Sequence, residues 1–349
     1  MTTTATLTQP ILTLSSNPLA NEKTKLIEDL GAKIESQTYS DWRNDLLRDG
    51  YVVIKNAIPT ESAVEYQKRI FEYLKSFNDD FDENDRSTWK VENLPDISDI
   101  GGLSKYGASQ HKIFWDIRQE QGYRKSFGKI WGTDELLVSF DAFNVSIPGL
   151  NNKNLRVKPW PHVDQSPYRN GLACIQGIAQ FSSSGEKDGS LVVFKKSHRL
   201  SEQYFREVLG QDNWLKKDWV SIPDQDIKWF EDRGAETLKI DAEPGDLILW
   251  DSRTIHYGQQ PDADDGNIRT IAYISYSPAS FATEEALEAK KKVFEAWAGT
   301  SHWAHDNINP RFARATLPNG EPDPRDTGVP SEKPELTDDL LKLAGVIPY

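Results

Sequence analysis

Cysteine is almost absent from this chain. Cys174 stands alone, so no intramolecular disulfide can form, which fits a reducing compartment. Positive charge is also in short supply: Lys and Arg total 41 against 54 Asp and Glu, a net charge of −13. That balance excludes a general nucleic-acid binder, which needs a basic footprint to neutralise phosphates. It leaves room for an anionic ligand, because one buried arginine dominates a local site. No apolar run approaches the roughly 20 residues that span a bilayer. The first 20 residues, rich in Thr, Ser and Leu, lack the charged start and apolar block of a secretory signal. The expectation is a cytoplasmic protein with no membrane partner and an N-terminal arm over residues 1–40.

What is present is enough for a sizeable core: 37% hydrophobic residues, with 11 Trp, 12 Tyr and 14 Phe. Residues 41–48 read as a short helix broken by Gly50, and 51–55 as a strand. Thr60 suits a helix N-cap, and Val64, Ile70, Phe71, Leu74 and Phe77 recur at helical spacing behind it. From about 137 to 278 the character changes. Runs rich in β-branched and aromatic residues, at 137–147, 172–181, 190–194, 237–240, 246–250, 254–257 and 268–276, alternate with Gly- and Asp-containing turns. Short strands spaced this way imply a mainly β jelly roll with flanking helices. Thr283 is placed to cap a helix running to about Trp297, and 317–349 reads as an extended C-terminal tail. With no internal repeat and no linker, 41–316 is one domain.

Histidine is scarce, six in all, which keeps the search for chemistry small. His162 and Asp164 stand at i and i+2, and on an extended backbone such residues share a face. An imidazole nitrogen and a carboxylate oxygen can then meet one ion. His256, just after the run Gly245-Asp-Leu-Ile-Leu-Trp250, is the best third ligand. Two His and one carboxylate on one side of a metal leave the other positions open, the arrangement suited to Fe(II) oxygenases. If 254–257 and 268–276 close a symmetric hairpin, His256 lies opposite Arg269 and shares its face. A guanidinium there invites a carboxylate held bidentately. 2-Oxoglutarate does both jobs, chelating the metal at one end and pairing with Arg269 at the other.

These motifs make the chain recognisable. It resembles the phytanoyl-CoA dioxygenase (PhyH) family of iron(II)/2-oxoglutarate oxygenases over about residues 41–280. The matching features are Asp49-Gly-Tyr-Val-Val-Ile54, His162-Val-Asp164, Asp188-Gly-Ser-Leu-Val-Val193 leading to His198, Gly245-Asp-Leu-Ile-Leu-Trp-Asp251 leading to His256, and Arg269. The resemblance implies a double-stranded β-helix (cupin-like) core, with His162, Asp164 and His256 as iron ligands and Arg269 as the anchor for 2-oxoglutarate. Gln176 falls where relatives place another cofactor-contacting side chain. Asp164 keeps the carboxylate that related halogenases lack, which disfavours halogenation. The acidic balance argues against a coenzyme A thioester as substrate.

The expected partners are Fe(II), 2-oxoglutarate, dioxygen and a small organic substrate, and a homodimer is compatible with the sequence. The reaction class is hydroxylation, with desaturation or cyclisation open to the same first step, in secondary metabolism. Two alternatives stay open: a non-oxidative cupin-like metalloenzyme, and a silent binding protein on the same scaffold. His111 and His198 read as structural, His302 and His305 as solvated, and Trp214, Trp219 and Trp229 as core or lid packing. Substrate contacts are expected from 106–118 and from the region after Pro278.

Overall fold

The central apolar runs carry hydrophobic residues at odd and even positions alike, so each strand needs cover on both faces. The computed structural model describes residues 17–150 and 158–349; residues 1–16 of the expected arm lie outside it. Helices α1 Thr24–Glu35, α2 Arg43–Asp49, α3 Thr60–Lys75, α4 Lys112–Arg118, α5 Gln121–Trp131, α6 Ser201–Tyr204, α7 Asp224–Glu231, α8 Glu284–Glu295 and α9 Asp338–Leu343 surround the strands. The strands are β1 Tyr51–Ile54, β2 Gly102–Leu103, β3 Leu136–Val138, β4 Phe143–Ser146, β5 His162–Val163, β6 Ile175–Gln180 and β7 Ser190–Lys195. They continue with β8 Val220–Ser221, β9 Glu236–Lys239, β10 Leu247–Asp251, β11 His256–Gln259, β12 Arg269–Ile274 and β13 Tyr276–Pro278.

Pairing is antiparallel, in a six-stranded sheet β1-β10-β6-β12-β4-β2 and a five-stranded sheet β8-β5-β11-β7-β9. Ile178, Ile248, Trp250 and Ile271 of the first sheet meet Leu191 and Val193 of the second and fill the space between them. The opposite face of the six-stranded sheet, with Ile175, Ala179, Leu249 and Ile274, packs under the helical layer against Tyr66, Phe114 and Phe127. Behind the five-stranded sheet, Phe194 packs with Tyr204, Phe205 and Phe230. This two-sheet roll is the expected double-stranded β-helix.

Glycine is required where α2 turns into β1. Gly50 adopts a left-handed φ of 83°, and a Cβ there would lie 2.4 Å from His198 Nδ1 and 2.6 Å from Thr254 Oγ1. Its carbonyl accepts from Asp251 N (3.0 Å) and Thr254 Oγ1 (2.8 Å), tying this corner to β10 and β11. His198 Nε2 lies 3.1 Å from the Leu47 carbonyl in the same corner, a structural position.

Three expectations change. Residues 24–35 of the expected arm form α1, which buries Ile27 and Ile34 and sets Gly31 against the Leu172 backbone. Apolar residues at helical spacing find a groove there that no local pattern announces. The expected tail contains α9, capped by Thr337 Oγ1, with Leu340 and Leu343 fully buried. The β11–β12 hairpin does not form: β11 pairs with β5 and β7, β12 with β4 and β6. The intervening loop carries the chain from one sheet to the other.

His111 shows how a buried polar group is satisfied in this fold. Its Nδ1 accepts from Ile113 N (3.2 Å), capping α4, and its Nε2 lies 3.2 Å from Ser331 Oγ. Burial pushes the imidazole from an ordinary value near 6.5 down to about 4. Between those values the unfolded chain binds the extra proton. Stability is therefore full above pH 6.5 and falls as pH drops toward 4. In His111→Asn, which keeps a capping acceptor without a titrating ring, denaturant unfolding across this window should show a shallower pH slope; an unchanged slope would refute the assignment.

Candidate metal centre

His162 opens β5 and His256 opens β11, and the two are direct partners across the antiparallel pairing. Their side chains therefore leave one face of the sheet, with ring centroids 4.4 Å apart. Each Nδ1 faces a backbone carbonyl, Trp160 O at 3.1 Å and Thr254 O at 2.9 Å. A carbonyl only accepts, so each Nδ1 carries the proton and each Nε2 keeps its lone pair. The ring of Trp160 stacks on His162 at 4.4 Å and 6°. Trp250 packs 5.2 Å from His256.

Asp164 follows β5 and is held by its amide, which donates to the Ser252 carbonyl at 2.9 Å. Its Oδ1 lies 3.6 Å from His162 Nε2 and its Oδ2 3.2 Å from His256 Nε2. Ligand atoms of the three residues fall within 4.8 Å of one another, and all three side chains are buried. Burial alone would raise the Asp164 carboxyl. The nearby imidazoles of His162, His302 and His256 outweigh it and hold the group well below the usual carboxylate range. Burial, then the neighbouring His162, keeps the His256 imidazole below its ordinary value. An ionised carboxylate beside a neutral imidazole donor is the set a hard-to-borderline divalent cation needs.

Gln176, on β6, donates from Nε2 to Asp164 Oδ2 at 3.0 Å. The structure thus places it behind the carboxylate and orients that oxygen. Arg269 starts β12, paired with Ser146 of β4. Its side chain is buried, Nη1 donates to Asn144 Oδ1 at 3.0 Å, and Nε has no partner among the described residues. Among the described residues no carboxylate pairs with it, and residues 1–16 and 151–157 contain no Asp or Glu. A buried guanidinium without a counter-ion fits an incoming carboxylate. Arg269 comes to the interior from the opposite sheet, not from across a hairpin; the shared face survives because both strands point inward.

One histidine was missed. His302 was expected in solvent, yet its Nδ1 lies 4.0 Å from Asp164 Oδ2 and its Nε2 is buried without a partner among the described residues. Thr300 holds the segment in place, donating from N to the Phe140 carbonyl (2.7 Å) and accepting at Oγ1 from Phe140 N (3.2 Å). No spacing in the sequence marks this residue. His305 is also buried, against Phe281 and Trp303, with both ring nitrogens unpartnered among the described residues. Trp219 lies 5.9 Å from His162 and so borders the site, whereas Trp214 packs on Tyr168 and Trp229 on Tyr204. The 106–118 stretch turns inward: Trp115 bonds to Gln110 and Arg118 to the carbonyls of Ser109 and Asp141. Of the two regions expected to meet substrate, only the one after Pro278 reaches the triad.

The comparisons agree with this geometry. The family model described as phytanoyl-CoA dioxygenase matches residues 46–265, which includes all three triad residues and stops just short of Arg269. The chain is 38% identical over 298 residues to Ava biosynthesis cluster protein O of Aspergillus versicolor, covering 84% of this chain and 94% of that one. A Dictyostelium discoideum protein named for phytanoyl-CoA dioxygenase is 23% identical over 286 residues, covering 71% and 78%. Among solved structures, GlcNAc Inducible Gene 2 from Candida albicans superposes with a TM-score of 0.52 at 13% identity, covering 93% of this chain and 86% of that one. That likeness concerns the fold alone. On the family match and the fungal relative together, the chain belongs to the phytanoyl-CoA dioxygenase family of iron(II)/2-oxoglutarate-dependent oxygenases.

Proposed function

We propose that His162, Asp164 and His256 hold the iron, that Arg269 anchors the distal carboxylate of 2-oxoglutarate, and that the enzyme oxidises a small organic metabolite. The reaction is hydroxylation, with desaturation and ring closure sharing its first step. The observation that carries this reading is the pairing of a three-donor cluster with a buried arginine that has no anion of its own. A non-oxidative cupin-like enzyme has no use for that arginine. A biosynthetic role is supported by the 38% identical relative, whose name assigns it to a biosynthesis cluster. The net charge of −13 weighs against a coenzyme A thioester.

Iron(II) with 2-oxoglutarate and dioxygen supplies oxidative decarboxylation to succinate and carbon dioxide together with removal of a hydrogen atom from the substrate. The chain's own residues do the rest. The carbonyls of Trp160 and Thr254 fix both imidazoles with Nε2 forward, and Gln176 fixes the carboxylate between them. Trp160 and Trp250 pack against the ligand rings and limit water at the site. His302 and Trp219 stand beside the triad as candidates to meet the substrate.

Anaerobic apo-protein given Fe(II) and then 2-oxoglutarate should develop the weak visible charge-transfer band of the chelate. His162→Ala should give none. Arg269→Ala should need at least about thirtyfold more 2-oxoglutarate, the equivalent of about 2 kcal/mol for a lost bidentate pair. Wild-type protein that binds Fe(II) but yields no band would sink the oxygenase reading and promote the cupin-like one. Gln176→Ala should weaken Fe(II) binding by roughly 10–100-fold, as expected when the group orienting a ligand is removed. Equal affinity in a direct metal titration would remove Gln176 from the site.

A further inference from the structure

A segment outside helix and sheet has no ladder to hold it, so side chains must fix its path. Two such segments reach the triad. Residues 214–219 lead into β8, residues 300–307 follow α8, and neither stretch contains a helix or a strand. The first ends in Trp219. Ser221 is the direct partner of His162 where β8 pairs with β5, so Trp219, two residues earlier, comes to the face of that imidazole. The second segment brings His302 to within 4.0 Å of Asp164.

Both segments are tied to one guanidinium. Arg169 lies shortly after Asp164 and donates from Nε (2.7 Å) and Nη2 (2.9 Å) to the two oxygens of Asp218, the neighbour of Trp219. Its Nη1 donates to Asp306 Oδ2 at 2.9 Å, just beyond His302. Its charge also lies 4.2 Å from the ring centre of Trp303. Ser166 N donates to Asp218 Oδ1 (2.9 Å), and Asn307 Nδ2 to Asp218 Oδ2 (3.0 Å). His302 therefore sits between two anchors, Thr300 on Phe140 and Asp306 on Arg169.

Stability is a weak reason for such a network, because removing these charges from water offsets most of their attraction. What a planar guanidinium adds is geometry: its fork fixes angle as well as distance at each carboxylate. The side chain of Arg169 is only 11% exposed and that of Asp218 2%, so water does little to loosen the fork. We propose that Arg169 is a positioning residue: by bridging Asp218 and Asp306 it holds Trp219 and His302 in place beside the triad, as two walls that the substrate meets. This rests on the triad as the metal site and on those two side chains as substrate-facing.

The test is NMR of Co(II)-loaded protein with isotope-labelled nitrogen in the His and Trp side chains, with Zn(II)-loaded protein as the diamagnetic reference. Paramagnetic Co(II) shifts each nucleus according to its place around the ion, and His302→Gln and Trp219→Phe identify the two signals. In wild type both should be shifted along with the ligands His162 and His256. Asp306→Ala cuts only the tie to the second segment and should remove most of the His302 shift while leaving Trp219 unchanged. Arg169→Ala should remove both. The His162 and His256 signals should stay where they are in each variant. Asp306 is 28% exposed, so its variant keeps the proposal testable if Arg169→Ala does not fold. An unchanged His302 shift in Asp306→Ala would overturn the proposal and leave the Asn307 bond as the tie. Ligand signals that move in step would overturn it too, by showing Arg169 to be a prop for the Asp164 segment. A Co(II)-loaded wild type with no shifted histidine would instead bring down the metal assignment, and this proposal with it.

Discussion

The antiparallel register of β5 on β11 is the constraint on which the site depends. His162 and His256 are direct partners in it, and because side chains alternate along a strand, a slip of one residue would send one imidazole to the opposite face. β5 is only two residues long and cannot hold that register by its own ladder. The lock comes from the turn between β10 and β11. Ser252 accepts the Asp164 amide through its carbonyl and donates from Oγ to Gln165 Oε1 at 2.8 Å, while Gln165 Nε2 reaches the Gly171 carbonyl at 3.0 Å. Arg253 in the same turn is clamped by Asp251 and by Glu35 of α1. One buried turn thus sets the position of both ligand strands and secures the N-terminal helix over them.

Burial then decides what the donors can do. Taking an ion out of water costs several kcal/mol unless it is paired, and Asp164 is met by the Gln176 amide, with Nε2 of His162 and His256 turned toward it. Arg269 is not. Among the described residues its hydrogen-bond partner is the neutral Asn144, which is itself held by Ser146 Oγ and by its own bond to the Ile100 carbonyl. The interior therefore has an anion beside imidazole nitrogens at one end and an unmatched cation at the other. The segment after α8 adds the third element. Bonds between Thr300 and Phe140 draw it across the open end of the roll, which places His302 beside Asp164.

The features legible in the sequence are those with local causes. Helix α2 and its glycine stop, the Thr283 cap on α8 and the central strands follow from spacing and turn chemistry; the cap expected of Thr60 does not form, because Thr60 is already the first residue of α3 and Pro59 stands at its N-cap without a side-chain bond. His162 and Asp164 are legible as a pair because i and i+2 share a face whatever the fold. The hairpin was not legible, because the loop after β11 looks the same whether the chain folds back on its own sheet or crosses to the other. Helix α1 was lost in a polar N-terminal stretch, where Ile27 and Ile34 show their purpose only against Leu172 and the rest of the core. His302 had no sequence signal, since what makes it part of the site is the path of a segment that carries no motif.

The sequence alone determined the chemistry available: one short His-x-Asp pair, one distant histidine after a strand, one arginine beyond it, and too little positive charge for a nucleic-acid ligand. Those follow from residue type and from the period of an extended chain. Only the tertiary structure decided which sheet each histidine strand joins, that Arg269 approaches from the opposite sheet without a counter-ion, and that His302 lies beside Asp164. The physical reason is that these relations are set by side chains packing across long stretches of chain, and a contact between distant residues leaves no period for the local sequence to carry.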